Sequence, residues 1–207
     1  MGTALTVASI LRRKPNGKTL CAAVALLMMA ATPRGAGAQE SWLDAPLAGW
    51  NEAGQIVPTA PPGNLALADP RCLQFDRPPE TPEDRAVAAA GWTLHGPYTG
   101  GWGAVLVEAL TDYDGMCRPI GYQYFAFVDG SFAGTLSPTP MAARTDGALQ
   151  DARIGFDGGI SATFVRYAPD DPLCCPSRPS VLVRYHIERT PAGPVLTPDN
   201  ATLLDGR

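Results

Sequence analysis

The sequence has little of the residues that carry most catalytic and nucleic-acid-binding chemistry. Only two histidines occur, His95 and His186, and no lysine follows Lys18. Five of the 16 cations lie in the first 38 residues, so the remaining 11, all arginine, stand against 20 acids and give a net charge of −9. Binding to nucleic acid or to an anionic membrane surface needs basic patches, so this balance excludes both classes of partner.

The sequence also lacks an apolar run long enough to cross a bilayer, which takes about 20 residues. The one sustained run, Leu20–Ala31, follows a basic stretch and precedes the small-residue triplet that ends at Ala38. This order of charged, apolar and small residues is typical of a secretory signal peptide. We therefore predict that residues 1–38 are a signal cleaved after Ala38, that no transmembrane span remains, and that the protein is periplasmic or extracellular. The alternative is an uncleaved N-terminal anchor.

Four cysteines follow the predicted signal: Cys72, Cys117, Cys174 and Cys175. An even number of cysteines in an exported domain indicates two disulfides. A bond between the adjacent Cys174 and Cys175 departs from relaxed disulfide geometry. We therefore expect each of these two to pair with a distant partner, either Cys72 or Cys117.

The chain divides into segments of different composition. Residues 39–70 are rich in proline and predict an extended segment, although Trp42 and Trp50 are expected to pack back onto the domain. Residues 71–190 predict a disulfide-stapled β domain, and residues 191–207 are proline-rich again and predict a loose tail.

The domain sequence predicts one short helix and several antiparallel strands. Thr81 and Pro82 open a helix that Gly91 closes. The predicted strands are 104–110, 121–128, 131–136, 152–156, 160–167 and 181–188. Hairpin turns at Asp129-Gly130 and at 157–159 connect neighbours in this series. The fold class is therefore mainly β, α+β at the margin, with a single curled antiparallel sheet or small barrel and one short helix near its N-terminus.

The sequence assembles no convincing catalytic, cofactor or metal site. Neither histidine has a metal-ligand partner at a helical or strand spacing, and no nucleophile elbow occurs. Asp112 and Asp114 match the first two ligand positions of an EF-hand calcium loop. Position 12 of that loop, which must be glutamate, would be Gln123 here. We therefore predict no catalytic residue, no bound cofactor and no metal.

The region around the adjacent cysteines resembles a known family. Arg166-Tyr167, the stretch Asp171–Ser177 with its Cys-Cys-Pro-Ser element, and the strand that follows are similar to the LppP/LprE lipoprotein family. The stretches Tyr113–Cys117 and Phe127–Thr135 are similar to the middle of that family, so that the resemblance covers roughly residues 105–188. It implies an envelope-associated protein and carries no catalytic residues over. Cys21 opens the apolar run and is no usable lipid-attachment residue.

Three functions remain open at this point. The first is a non-enzymatic binding module whose partner is an envelope protein or a cell-wall component, with Trp92, Trp102 and Tyr124 as candidate surface residues. The second is a small hydrolase that uses two convergent carboxylates, drawn from a set of four acids: Glu108, Asp112, Asp114 and Asp129. The third is a thiol-redox or soft-metal protein that uses Cys174 and Cys175.

Overall fold

A computed structural model describes residues 41–204. The predicted signal peptide and its cleavage point after Ala38 lie outside the described residues, as do residues 205–207. The description that follows therefore concerns the domain and the segment that leads into it.

The described chain is mainly β, with one α-helix, α1 (Pro82–Ala89), and ten strands. The strands are β1 (Thr93–Gly101), β2 (Ala104–Leu110), β3 (Asp112–Tyr113), β4 (Pro119–Val128), β5 (Ser131–Thr135), β6 (Met141–Ala142), β7 (Leu149–Ile154), β8 (Ile160–Arg166), β9 (Arg178–Thr190) and β10 (Gly193–Leu203). The prediction of a mainly β fold with one short helix is confirmed.

The strands form two antiparallel sheets. The first sheet runs in the order β1-β2-β4-β3, and β5 and β6 also pair with β4. The second sheet runs in the order β10-β9-β8-β7. Neither sheet closes on itself, so the predicted single curled sheet or small barrel is wrong. Alternation in a strand shows which face is buried but not what covers it, and here the inner face of one sheet is covered by the other.

The first sheet is buried on both faces, which explains its nearly continuous apolar strands. In β2, Leu106 and Leu110 face the second sheet, whereas Val107 and Ala109 join Val87 of α1 in a separate core cluster. The domain therefore has three layers, a helix on a sheet on a sheet. A strand covered on both sides loses the alternation that marks a half-exposed strand.

Helix α1 begins where the sequence predicts. The Thr81 side chain accepts from the Asp84 backbone N–H, and the Asp84 carboxylate accepts in return from the Thr81 backbone, which completes a capping box. The Asp84 carboxylate also accepts hydrogen bonds from both terminal nitrogens of Arg77, each at 2.7 Å. One side chain therefore fixes the start of the helix and ties it to the preceding segment.

The segment before the domain packs against it. Trp42 meets Phe164 edge-on with ring centroids 4.9 Å apart, and the Trp50 indole nitrogen donates to the Thr135 carbonyl at 3.0 Å. Buried Asn51 donates to the carbonyls of Thr135 and Leu196. The prediction that both tryptophans pack back is confirmed, and Asn51 bridges the two sheets.

The predicted loose tail after residue 190 is wrong, because residues 193–203 form β10 along the edge of the second sheet. Pro198 obscured this strand in the sequence, since proline cannot donate to a sheet ladder. An edge strand tolerates proline, and the pairing with β9 shifts register immediately after Pro198.

The predicted disulfide pairing is also wrong. Cys72 pairs with Cys117, 45 positions apart, and Cys174 pairs with its neighbour Cys175. Cys72 is completely buried in the core of the domain, whereas the adjacent cysteines lie in an exposed connection between β8 and β9. The two pairs therefore occupy different environments, and within residues 41–204 neither adjacent cysteine bonds to a distant one.

Candidate functional site

Two of the three aromatic residues predicted for an interaction surface do not lie on one. Trp92 is 4 % exposed and its indole nitrogen donates to the Pro58 carbonyl at 2.7 Å. Tyr124 is half-buried, and its hydroxyl donates to the Glu108 carboxylate at 2.6 Å. Trp102, in contrast, is 64 % exposed. Trp92 is therefore buried and Tyr124 partly buried, and Trp102 is the one of the three that presents most of its side chain to solvent.

Trp102 occupies an unusual backbone position. It lies with Gly103 in the two-residue turn between β1 and β2, where Gly101 pairs with Ala104. Both turn residues have positive φ, 56° at Trp102 and 79° at Gly103. Such turns favour asparagine or glycine at the first position, because a bulky side chain is strained in the left-handed region. The turn therefore keeps a large aromatic residue where local backbone energetics favour a small one.

Phe156 joins Trp102 on the surface. It lies in the turn between β7 and β8, is 87 % exposed, and meets the Trp102 ring edge-on at a centroid distance of 5.2 Å. The Phe156 turn is held by a bond from the Gly155 N–H to the Gly159 carbonyl at 2.8 Å. We call this pair, Trp102 and Phe156, the aromatic tip. One hairpin from each sheet contributes to it.

A groove of about 360 Å³ runs beside the aromatic tip, with Trp102 in its wall. Its charged residues and its histidine come from the second sheet and its turns: Asp157, Arg184, His186, Arg189 and Asp199. Tryptophan and arginine are the side chains that most often dominate the energy of protein–protein interfaces. The tip and the groove together therefore provide apolar anchors next to groups that can make directional contacts.

The four predicted acids do not assemble into a catalytic pair. Asp112 accepts from the Tyr113 backbone N–H, Asp114 binds Arg118, and exposed Asp129 lies 3.5 Å from Arg189. Each of these three is thus engaged with a neighbour of its own. Glu108 alone is buried enough for its pKa to rise, because burial outweighs the opposing hydrogen bond from Tyr124.

Glu108 belongs to a row of polar residues that crosses the first sheet. Asp76 bridges to His95, His95 pairs with Glu108, and Glu108 pairs with Tyr124, so all four point to one face. The Tyr113 hydroxyl donates to Asp76 and lies 2.9 Å from Nδ1 of His95. Since that hydroxyl donates to the carboxylate, it accepts from the His95 N–H. Burial lowers the pKa of His95, and the charge of Asp76 opposes this shift.

The polar row holds a segment over the edge of the first sheet. The Arg77 N–H donates to the Leu94 carbonyl at 3.1 Å, directly beside the Asp76–His95 bridge, so the chain there covers part of edge strand β1. The sequence shows no metal-ligand partner near His95 and did not predict the row. No local motif could have found it, because Asp76, Glu108 and Tyr113 meet His95 only through the pairing of distant segments.

We expect Glu108→Gln to gain stability relative to the native protein as the pH rises from about 4 to about 8. The pKa of Glu108 is raised above its usual 4.5 in the folded chain. The stabilisation from holding this proton is therefore present below that value and is lost as the pH rises through the folded pKa. Glutamine carries no charge to desolvate, and one pKa unit corresponds to about 1.4 kcal/mol.

Urea unfolding of both proteins across this pH range measures the effect. The control is Glu52→Gln, which makes the same substitution at an exposed acid. A flat difference for Glu108→Gln would show that Glu108 ionises in the fold as freely as in water.

A cavity of about 830 Å³ lies away from the aromatic tip. Residues 41–44, 138–147 and 167–169 contribute most of its lining. Two acids in its lining bind a buried arginine: Arg166 contacts Asp44 at 2.6 Å and Asp146 at 2.9 Å. Arg178 adds a further contact to Asp44 at 3.5 Å. These charges hold the N-terminal segment to the second sheet.

The described residues show neither a metal cluster nor a membrane span. Within residues 41–204, no three histidine, cysteine, aspartate or glutamate side chains are grouped closely enough to hold a metal ion. Over the same residues, no helix combines the length and the hydropathy that crossing a bilayer takes.

These features define a disulfide-containing, two-sheet β domain that presents an aromatic tip. The model of the LppP/LprE lipoprotein family matches residues 104–190, from the start of β2 to the end of β9. The resemblance predicted from the sequence is thereby confirmed, and the matched segment includes Phe156 and the adjacent cysteines. No match was found to a curated protein or to a solved structure.

Proposed function

We propose that this protein is an exported, non-enzymatic module of the cell envelope that binds a partner protein through the aromatic tip and its groove. The observation that carries this function is Trp102, which is 64 % exposed in a left-handed turn position. Residues with strained backbone conformations concentrate at functional sites. A strained residue costs stability, so its presence indicates a role other than stabilising the fold. The family match over residues 104–190 supports a location in the cell envelope, since the matched family is one of lipoproteins.

The neighbourhood of the tip supports a protein as the partner. Phe156 enlarges the apolar contact that Trp102 offers, and Arg184 and Arg189 line the groove beside it. An interface of this kind places aromatic anchors at its centre and polar groups at its rim. The surrounding acids and arginines balance each other, which favours a partner of mixed charge over a uniformly anionic polymer.

A hydrolase with two carboxylates has weaker support. Of the four acids that the sequence offers for this role, Glu108 is the one whose pKa burial raises, and its contact is with Tyr124 and not with a second acid. Retaining and inverting glycosidases both need two carboxyl groups that face one substrate bond. The tip is therefore the feature on which the proposed function depends.

Sedimentation of the exported protein with isolated envelope fragments tests the proposal. We expect the native protein to pellet with the fragments and the double variant Trp102→Ala/Phe156→Ala to lose at least tenfold in binding, about 1.4 kcal/mol or more. Ile56→Ala is the matched control, because Ile56 is also a large apolar residue and is 85 % exposed. Equal pelleting of the double variant and the native protein would contradict the proposal.

Protease treatment of the fragments identifies the class of partner. Loss of binding after proteolysis indicates a protein, as proposed. Full binding to protease-stripped cell wall would contradict the protein partner and indicate a wall polymer.

We further expect Trp102→Gly to be more stable than Trp102→Ala by about 1 kcal/mol, since glycine adopts positive φ without a steric cost. Both variants lack the indole ring, so the difference in their stabilities measures the cost of the backbone conformation at position 102. At Ala86, an exposed position inside α1, the order should reverse, and Ala86→Gly should cost about 1 kcal/mol. Chemical denaturation of the three variants measures these differences, and an alanine variant at position 102 as stable as the glycine variant would show that the turn is unstrained.

A further inference from the structure

The adjacent cysteines lie on the surface and outside the core. Cys174 and Cys175 are both exposed, as are all residues from Pro172 to Ser177 in the connection that leads from β8 into β9. In contrast, Cys72 of the other disulfide is completely buried. A thiol reagent or a second protein can therefore approach both sulfurs of the Cys174–Cys175 pair in the folded molecule, whereas in the other pair Cys72 is buried and Cys117 is partly buried.

The Cys174–Cys175 bond contributes little to holding the fold together. A disulfide stabilises chiefly by closing a loop of the unfolded chain, and the effect grows with loop length. Cys174 and Cys175 are one position apart, so their bond closes no such loop, whereas 45 positions separate Cys72 from Cys117. The chain can therefore open the exposed bond without losing a long-range crosslink.

The loop around the pair is fixed by other contacts. The Asp171 carboxylate accepts from the Ala168 N–H at 2.7 Å and from the Ser177 N–H at 2.8 Å, which clamps the two ends of the loop together. The Leu173 carbonyl accepts from the Tyr167 hydroxyl at 3.1 Å and from Arg144 at 3.3 Å. These bonds do not involve the sulfur atoms, so the loop should keep its position when the disulfide opens.

We propose that Cys174 and Cys175 form a reversible redox site that exchanges two electrons with a dithiol. In the forward direction a thiolate of the dithiol attacks one of the two sulfurs, forming a mixed disulfide, and the other cysteine sulfur leaves and takes up a proton. The second thiol of the dithiol then displaces the attacked cysteine. The products are two cysteine thiols here and one disulfide on the reductant, so electrons and protons balance. Exposed disulfides are the ones that act as labile or regulatory bonds.

This redox site does not depend on the proposed binding function. The aromatic tip belongs to the turns after β1 and β7, whereas the cysteines follow β8. Tyr167 and Ala168, which help to fix the cysteine loop, also line the 830 Å³ cavity. Reduction therefore acts next to that cavity, and loss of one function leaves the other measurable.

Reductive titration of the full exported protein with dithiothreitol, followed by alkylation and peptide mass spectrometry, tests the redox site. We expect Cys174 and Cys175 to be labelled together, and at least tenfold faster than Cys72 and Cys117. Amide exchange should stay slow throughout both sheets, and removal of the reductant with addition of diamide should restore the bond within one molecule. After reduction, phenylarsine oxide should bind in a ratio of one per chain, because it needs two neighbouring thiols.

The variant Cys174→Ser/Cys175→Ser is the control, and it should take up neither label nor arsenical under the same conditions. Reduction of Cys72–Cys117 at the same rate as the adjacent pair, or unfolding of the sheets on reduction of the adjacent pair, would overturn the proposal. Isolation of the protein with two free thiols that diamide does not join would overturn it as well.

Discussion

Asp84→Ala should destabilise the protein by about 3–5 kcal/mol, the cost of leaving one partner of a buried ion pair uncompensated. The Asp84 side chain has no exposed area, and its carboxylate accepts two hydrogen bonds from Arg77. It also accepts from the backbone N–H groups of Glu80 and Thr81. Removing the Asp84 carboxylate leaves the Arg77 guanidinium without its counter-charge, and the Nε of that group already has no partner in the described structure. It also removes the side chain that caps the start of α1.

Chemical denaturation measures this loss, and Glu80→Ala is the matched control. Glu80 is an exposed acid beside the same helix end, and its loss should change stability by less than about 0.5 kcal/mol. Burial opposes ionisation of Asp84, but Arg77 and the two N–H groups outweigh it and lower the pKa below 3.8. The advantage of the native protein over Asp84→Ala should therefore be complete at neutral pH and shrink as the pH falls below about 4.

Removing the buried disulfide should have an effect of similar size. In the chain-entropy model, a crosslink between residues 45 positions apart stabilises by about 4 kcal/mol, so Cys72→Ala/Cys117→Ser should lose about that amount. The loop that it closes contains α1, β1 and β2, and with them the first sheet's contact to the helix. The matched comparison is Cys174→Ser/Cys175→Ser, which should change stability by less than about 0.5 kcal/mol. Equal losses in the two double variants would contradict the division between a structural and a redox-active pair.

The sequence predicted the parts of this fold that local patterns determine. Residues 181–188 were predicted as a strand and lie in β9, where Val181, Val183 and Tyr185 are buried on one face. The cap at Thr81 predicted the start of α1 to the residue. In both cases the signal lies within a few neighbouring positions, where backbone geometry and burial fix the spacing.

The two long strands that the sequence missed, β1 and β10, contain proline and glycine. In β1, Gly96 and Pro97 lie within a break in the pairing with β2, between His95 and Thr99. In β10, Pro198 lies at a similar break. Both strands are at sheet edges, where such residues are tolerated because one side of the strand needs no partner. Local composition therefore predicts a loop where the tertiary structure supplies a neighbouring strand.

The candidate sites were harder to predict, because they depend on contacts between distant segments. The aromatic tip brings together turns of two different sheets, and Phe156 carried no signal that distinguished it from other turn residues. Trp92 had the same composition-based support as Trp102 but lies beneath α1, against Phe125. The exposure of an aromatic side chain is a property of the assembled layers and cannot be read from one strand.

Site-specific photo-crosslinking in intact cells tests the central claim most directly. A photoreactive phenylalanine analogue replaces Phe156, and a matched protein carries it at Leu67, which is 84 % exposed elsewhere in the chain. We predict that irradiation joins the Phe156 position to one defined envelope protein, and that this adduct disappears when Trp102 is changed to alanine. Absence of an adduct at position 156, or the same adduct from position 67, would contradict the account.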